Sequence, residues 1–431
     1  MEEKVRNELK QLLQQEVVLA TGCTEPGAVA LCVAKACSIL GSEPASIRLR
    51  LSKNVFKNAM GVGIPGTGMI GLPIAVAMAV THGAPERGLE VLTMPALDVE
   101  DAKDWLKNNG DRIDIGVKES SDRLYIECRV EAFGHSATAV IARRHTDFVF
   151  LGRDGEVLLE KALSLHEQAD DSADPGRDCR QQVELSTRLV FDYATTAPIE
   201  ELEFIRETVR YNAAASEWGL EGRGLHTGEL LMREAHGDLV HEVVSRTVAA
   251  SDARMDGCPM PVYSNSGSGN QGICCTLPPY YFGTLRGCSD ERITRALVLN
   301  HLLSIYIKRG IGRLSALCGI VNASIANAAA FVYLSGGGYR EVCFAIKNMI
   351  NTLSGMVCDG AKPSCALKMA SGVYSAYVCS LLACEGHVVD PTDGLSEDCV
   401  DCSIRNLGRL GREGMCTTDD CILDIMTHKG N

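Results

Sequence analysis

The sequence predicts an α+β protein, in which an N-terminal α/β part with an antiparallel sheet precedes a mostly helical part. Three observations carry this. Leu124, Ile126, Cys128 and Val130 alternate with Tyr125, Glu127, Arg129 and Glu131 over residues 123–131, the period of a half-buried strand. Asp154-Gly155 separates two apolar runs, 148–151 and 157–159, as a tight hairpin turn does. Beyond residue 183 the apolar spacing becomes helical over long stretches.

In chain order, Val5, Leu9, Leu12, Leu13 and Val17 predict a helix over 2–20. Thr21-Gly22-Cys23-Thr24-Glu25-Pro26 breaks it, and a small-residue helix follows over 26–40, with Thr24 as N-cap. Residues 47–52 alternate as a strand, and Gly134-His135 turns the chain into the apolar segment 136–143. The polar run 167–182 reads as a solvated linker. Helices are predicted over 186–196, 199–216, 228–250, 291–309, 313–333, 339–357 and 364–386. The expected division is therefore an α+β domain over 1–166, carrying Cys23 and the Gly-rich loop 61–73, the linker 167–182, and a helical cluster-binding domain over 183–431.

A chain of 431 residues fits two or three domains at about 150 residues each. Its formal charge of −13 and its 5% aromatic content argue against a nucleic-acid partner, since it repels phosphates and offers few stacking surfaces. The most apolar run, Gly68–Val80, is 13 residues long and too short for a bilayer. Met1–Arg6 lacks the apolar core of a signal peptide, so a cytoplasmic protein without membrane attachment is expected. The 19 cysteines then point to buried thiols, metal ligands or redox chemistry in a cell that sees little oxygen.

Several segments can carry chemistry. Ser264-Asn265-Ser266-Gly267-Ser268-Gly269-Asn270-Gln271-Gly272 can form a nest of backbone N–H groups for a carboxylate or phosphate. Asn265, Ser266, Ser268, Asn270 and Gln271 add side-chain donors, and Arg254 offers a cation to the same anion. The stretch Gly61–Gly71 contains a formal Gly-x-Gly-x-x-Gly. Pro65 lies inside the would-be phosphate turn and no parallel βαβ unit is evident, so close backbone approach to a ligand or helix is expected instead. Lys57 and Asn58 precede it and can point into the same space; an exposed lysine is the plain alternative. Cys23 precedes a helix N-terminus, where the dipole favours thiolate and hence a base or nucleophile. Cys318, Cys358 and Cys365 lie at helix ends; three thiolates suit an iron–sulfur cluster with one open iron acting as Lewis acid. A rival set, Cys399-x-x-Cys402 with Cys416 and Cys421, suits zinc or a second cluster. His145 and His301 read equally as core or catalytic histidines.

Taken together, Gly22–Pro26, Lys57-Asn58 through Pro73, Ala250–Met255, Ser264–Gly272, Arg313–Cys318 and Ser354–Lys362 resemble the iron–sulfur L-cysteine desulfidases. That family is related to the α part of the iron–sulfur L-serine dehydratases, and the resemblance runs from about residue 17 to 426. It implies an oxygen-sensitive 4Fe-4S cluster, no pyridoxal phosphate, and β-elimination from a small amino acid. It also implies cluster ligands at Cys318, Cys358 and Cys365 and a base at Cys23. Cys399, Cys402, Cys416 and Cys421 lie outside the family pattern. The Ser-Ser-His-Thr motif of the serine dehydratase β part is absent, with only a faint likeness at Arg144-His145-Thr146, which favours L-cysteine as substrate.

Two other readings stay open on the residues. One is a pyridoxal-phosphate lyase with Ser264–Gly272 around the phosphate, for which no lysine stands out. The other is a cluster- or zinc-carrying sensor. A homo-oligomer is the general expectation for a metabolic enzyme.

Overall fold

A computed structural model describes residues 1–20, 22–118, 124–161, 183–312 and 315–428. The predicted linker 167–182 lies outside the described residues, as do Thr21, Arg313 and Leu314 of the quoted motifs. The chain begins with α1 (Glu3–Glu16), β1 (Leu19–Ala20), α2 (Thr24–Leu40), β2 (Ser46–Leu51), α3 (Lys53–Ala59), α4 (Leu72–His82) and α5 (Ala96–Asn109). Strands β3 (Ile113–Val117), β4 (Tyr125–Ala132), β5 (His135–Ala142), β6 (Phe148–Arg153) and β7 (Glu156–Glu160) follow. The later half holds α6 (Thr187–Thr196), α7 (Ile199–Leu202), α8 (Glu207–Leu220), α9 (Thr227–Glu234), α10 (Leu239–Met255) and β8 (Val262–Tyr263). It closes with α11 (Gly269–Leu285), α12 (Asp290–Ile311), α13 (Gly319–Leu334), α14 (Tyr339–Leu353), α15 (Cys365–Cys384), α16 (Val400–Arg409) and α17 (Thr418–Thr427).

The α+β class holds, with a mixed six-stranded sheet in the order β3-β2-β4-β5-β6-β7. Leu124, Ile126, Cys128 and Val130 all face the core, as their alternation requires. Asp154 and Gly155 both take positive φ, 52° and 86°, which matches the twist of the β6–β7 hairpin. One expectation fails: β2 and β3 run parallel, and α3, α4, α5 and the Gly-rich loop form their crossover. The loop still does not follow a strand directly, because α3 intervenes, so it does not meet the dinucleotide pattern.

α2 packs across β4 and β5, and its buried residues Ala28–Ala34 share a core with Leu49, Ile126 and Ile141. A second core fills the helical half. Leu9, Leu12 and Leu13 of α1 belong to this second core, and β1 pairs with β8. The first 20 residues thus pack with the helical half, unlike the 1–166 grouping, because the apolar stripe of α1 faces α12. Val17–Ala20 leave the predicted helix 2–20 to reach β8.

The predicted helix 228–250 splits at His236-Gly237, both at positive φ, and Asp238 caps α10 by accepting from the His241 N–H. Helices α3, α4, α5, α11, α16 and α17 were not among those the spacing predicts. α4 is apolar on nearly every face and so lacks an amphipathic period, while α11 carries Pro278 and Pro279. Among the described residues one helix, α15, is long and apolar enough to cross a membrane by length and composition. Half of it is buried, and it packs on α10, α13 and α14.

Candidate functional site

Two helix starts and one tight loop carry Cys318, Cys365 and Cys358. Cys318 is the N-cap of α13 and Cys365 the first residue of α15. Cys358 sits in the loop between α14 and α15. An antiparallel bridge, Leu317 to Val357, ties this loop to the start of α13. The Cys318 N–H donates to the Met356 carbonyl (3.0 Å) and the Cys358 N–H to the Ala316 carbonyl (2.6 Å). The two thiols share a hydrogen bond, which pushes Cys318 up and pulls Cys358 down, with Lys57 and Lys308 adding to the latter. Cys365 lies close enough to feel Cys358, and its Sγ donates to the Gly360 carbonyl (3.6 Å). Gly360 takes φ 95°, and a Cβ there would stand 2.3 Å from the Lys57 carbonyl, so only glycine allows this approach.

Among the described residues, no three His, Cys, Asp or Glu side chains close on a single metal ion. This holds for the rival set at Cys399, Cys402, Cys416 and Cys421 and for the Cys318, Cys358 and Cys365 triad alike; within the rival set, Cys399 and Cys402 interact with each other. The triad of Cys318, Cys358 and Cys365 fits an iron–sulfur group in kind. Its donors are all thiols, two of them at helix starts; Cys358 is the one pulled towards thiolate, by its hydrogen bond with Cys318 and by Lys57 and Lys308, whereas burial holds Cys365 up.

Cys23 adjoins this triad. It packs, with Ala361, against a small cluster of Val62, Met255 and Cys365. The Gly-rich loop makes that possible. A Cβ on Gly63 would stand 2.5 Å from the Gly257 nitrogen and the Met255 carbonyl, and the Gly63 N–H donates to Met255 (3.0 Å). Close backbone approach to a helix is thus the role these glycines serve. Cys23, not Thr24, is the N-cap of α2. The expected lowering of its thiol is reversed: burial first, and then the Glu25 carboxylate, push it up to about 12, against the pull of Arg254. Its Sγ donates to Glu25 Oε2 (3.3 Å). Burial alone would raise Glu25, but His145, its own backbone and Asn58 hold it below the usual carboxylate range.

Arg254, near the C-terminus of α10, is 8% exposed. Its Nη2 donates to the Gly22 carbonyl (3.1 Å) and its Nη1 to Asn270 Oδ1 (3.3 Å). Its buried Nε has no partner, and no carboxylate pairs with it among the described residues. Gly269 allows this placement, since a Cβ there would lie 2.3 Å from Arg254 Nε.

The 264–272 loop differs from the expected nest. Ser266 N–H donates to the Glu16 carbonyl and Ser264 N–H to Val18, tying the loop to α1 and β1. Ser266 Oγ and Gln271 Nε2 both donate to Asn265 Oδ1 (2.9 Å each), and Gln271 also reaches Ser304. Ser268 caps α11 by accepting from the Gln271 N–H. Asn265, Ser266, Ser268 and Gln271 are therefore spent largely on the loop itself, and Asn270 alone of this set bonds Arg254.

His301 anchors the loop. Asn265 Nδ2 donates to its Nδ1 (3.1 Å), and Thr276 Oγ1, already donating to the Gly272 carbonyl, lies 3.1 Å from Nε2. This arrangement suits a neutral ring protonated at Nε2. Burial lowers its pKa from 6.5 to about 3. A neutral ring that gains a proton only on unfolding makes acid destabilising. Stability contributed here is full above pH 6.5 and is lost as pH falls towards 3. Chemical denaturation between pH 7 and 4 should show this decline, and His301→Gln should flatten it. An unchanged slope in the variant would count against the assignment.

Lys57 is neither exposed nor aimed at an open space. Its side chain is 3% exposed, and Nζ donates to Asp419 Oδ1 of α17 and to the Cys358 carbonyl (3.2 Å). It braces the thiol loop from beneath. Asn58 donates to Glu25 Oε1 (3.0 Å), leaving its buried Oδ1 without a partner. The sequence reading missed Glu25 and Asp419 as parts of the site. Glu25 had a visible signal, an acid two residues after the cysteine, but it reads as an ordinary first-turn carboxylate.

The match to known families agrees with this arrangement. Residues 86–424 match the family model described as "Serine dehydratase alpha chain". A UPF0597 protein of Bacteroides fragilis is 47% identical over all of both chains. One from Porphyromonas gingivalis is 44% identical over all of both. One from Aeromonas hydrophila is 42% identical over 97% of this chain and 95% of its own. Matched to that family model over most of its length and to these relatives over all or nearly all of it, this chain belongs to the serine dehydratase α-chain family and, within it, to the UPF0597 proteins.

Proposed function

We propose that this protein is an iron–sulfur L-cysteine desulfidase, a carbon–sulfur lyase that converts L-cysteine and water to pyruvate, ammonia and sulfide. The observation that supports this most is the packing of Cys23 against the cluster of Val62, Met255 and Cys365, beside a buried Arg254 that lacks a carboxylate partner among the described residues. Cys318, Cys358 and Cys365 would hold a 4Fe-4S cluster, which when bound supplies Lewis acidity that eases departure of the substrate sulfur.

The remaining work falls to the chain. Arg254 is suited to the substrate carboxylate, with Asn270 holding the orientation of its guanidinium. Cys23 takes the Cα proton. As the resting thiol is held up near 12, it must first give up its own proton, and Arg254, whose charge and hydrogen bond pull the thiol down, is the neighbour that favours the thiolate. Asn58 and Thr24 hold Glu25 in position. Loss of sulfide leaves aminoacrylate, which tautomerises and hydrolyses.

The test is product release by protein reconstituted with iron and sulfide without oxygen, given L-cysteine and L-serine separately. Equal pyruvate and sulfide from L-cysteine, lost on exposure to air, is the expected result. The family description points to serine, so pyruvate from L-serine alone would reassign the substrate to that of a dehydratase. No product from either, with the cluster spectrum intact, would favour a sensor.

A further inference from the structure

One thiol pair stands apart from the site described above. Cys399 is the N-cap of the ten-residue helix α16, and Cys402 lies three residues on, one turn into that helix. Cys399 is exposed and Cys402 half-buried. The Cys402 thiol and the backbone N–H groups of Cys402 and Asp401 all reach the Cys399 sulfur. Arg405 Nη2 donates to Cys402 Sγ (2.9 Å), setting a cation on the second sulfur. Between them Asp401 is locked in place. Its Oδ1 accepts from the Thr187 N–H (2.9 Å), the Thr187 hydroxyl and the Tyr306 hydroxyl (3.0 Å). The helix start is thus clamped to α6 and α12 with both thiols on one side, in reach of each other and of solvent.

We propose that Cys399 and Cys402 form a redox-active dithiol that exchanges with low-molecular-weight disulfides and closes to an intramolecular disulfide. A Cys-x-x-Cys pair at a helix N-terminus favours thiolate at its first cysteine and places the second to resolve a mixed disulfide. The hydrogen bond from Cys402, then the helix N–H groups, lower the Cys399 thiol, whereas burial raises Cys23, Cys32 and Cys274. In the first step the Cys399 thiolate attacks one sulfur of a disulfide R–S–S–R; that bond breaks, one thiolate RS⁻ leaves, and Cys399–S–S–R forms. In the second, Cys402 loses its proton to water and attacks the Cys399 sulfur, expelling the second RS⁻. Two protein thiols are oxidised by two electrons, and the small disulfide is reduced to two thiols.

The experiment equilibrates the full chain in buffers of stepped reduced-to-oxidised glutathione ratio, quenches with acid, alkylates free thiols and maps peptides by mass spectrometry. The expected result is a peptide containing both Cys399 and Cys402, lighter by two hydrogens, that grows with oxidised glutathione and reverts with dithiothreitol. Cys402→Ser should instead accumulate glutathione on Cys399, and Cys399→Ser should carry neither modification. Circular dichroism checks that both variants fold. At pH 7, Cys399 should also alkylate about fivefold faster than the exposed Cys384. Two results would overturn the proposal: both cysteines staying alkylatable where a reference dithiol is fully oxidised, or glutathione spreading evenly over Cys384, Cys416 and Cys421 with no 399–402 link. Neither readout uses iron or turnover, so it stands or falls separately from the lyase reading.

Discussion

Cys23→Ser is expected to abolish turnover while leaving bound iron unchanged, whereas Cys358→Ser is expected to lose both. The two thiols do different work. Cys358 accepts a hydrogen bond from the Cys318 thiol, lies near Lys57 and Lys308, and its N–H donates to the Ala316 carbonyl at 2.6 Å. A hydroxyl there would keep the backbone geometry but not the soft anionic donor that iron–sulfur groups take. Cys23 instead hydrogen bonds to Glu25 and is not coupled to another thiol in this way. A serine hydroxyl is far less acidic than a thiol, so the base is lost while the triad stays whole. Iron content, visible absorbance and pyruvate release, measured on the same anaerobic preparations, separate the two. Near-normal activity in Cys23→Ser would remove it as the base, and full iron content in Cys358→Ser would remove it as a ligand.

Arg254→Gln should cost about 2–5 kcal/mol of transition-state binding, roughly a 30- to 4,000-fold fall in kcat/KM, if this guanidinium holds the substrate carboxylate. Arg254→Lys should rescue little. An ammonium keeps the charge but cannot span Gly22 and Asn270 and still present a free N–H. Much of the loss should appear in KM, since a carboxylate anchor acts on bound substrate as well as on the transition state. Thermal unfolding of the parent and variants controls for structural damage, because Arg254 also fastens the 22–23 turn to α11. An unchanged KM with a folded protein would place the carboxylate elsewhere.

The local setting of the candidate residues was legible in the sequence. Cys318 and Cys365 stand at helix starts and Cys358 in a turn, as their spacing suggests. Arg254 was readable as a cation beside a polar loop. Other residues were misread for a single reason: their partners are remote in sequence. Asn265 and Gln271 looked like donors for an anion, yet they serve His301 and Ser304 on α12, 36 and 33 residues away. Lys57 looked like an exposed lysine, yet its counterion Asp419 lies 362 residues on. The Cys23 dipole argument was sound locally, but burial and the neighbouring carboxylate outweighed it. The α4 and α11 helices escaped notice because a helix buried on all sides, or one carrying two prolines, shows no amphipathic period.

By itself, the sequence determined the α+β class, the β4 face, the Asp154-Gly155 turn and which cysteines stand at helix starts. These depend on period and turn chemistry, which act over a few residues. Only the tertiary structure decided that α1 joins the helical core, that β2 and β3 run parallel, that Cys23 packs against the cluster holding Cys365, and that Cys399 and Cys402 interact with each other. Those outcomes turn on which apolar faces bury one another and on which charges share a low-dielectric interior. Both are settled by contacts between segments hundreds of residues apart.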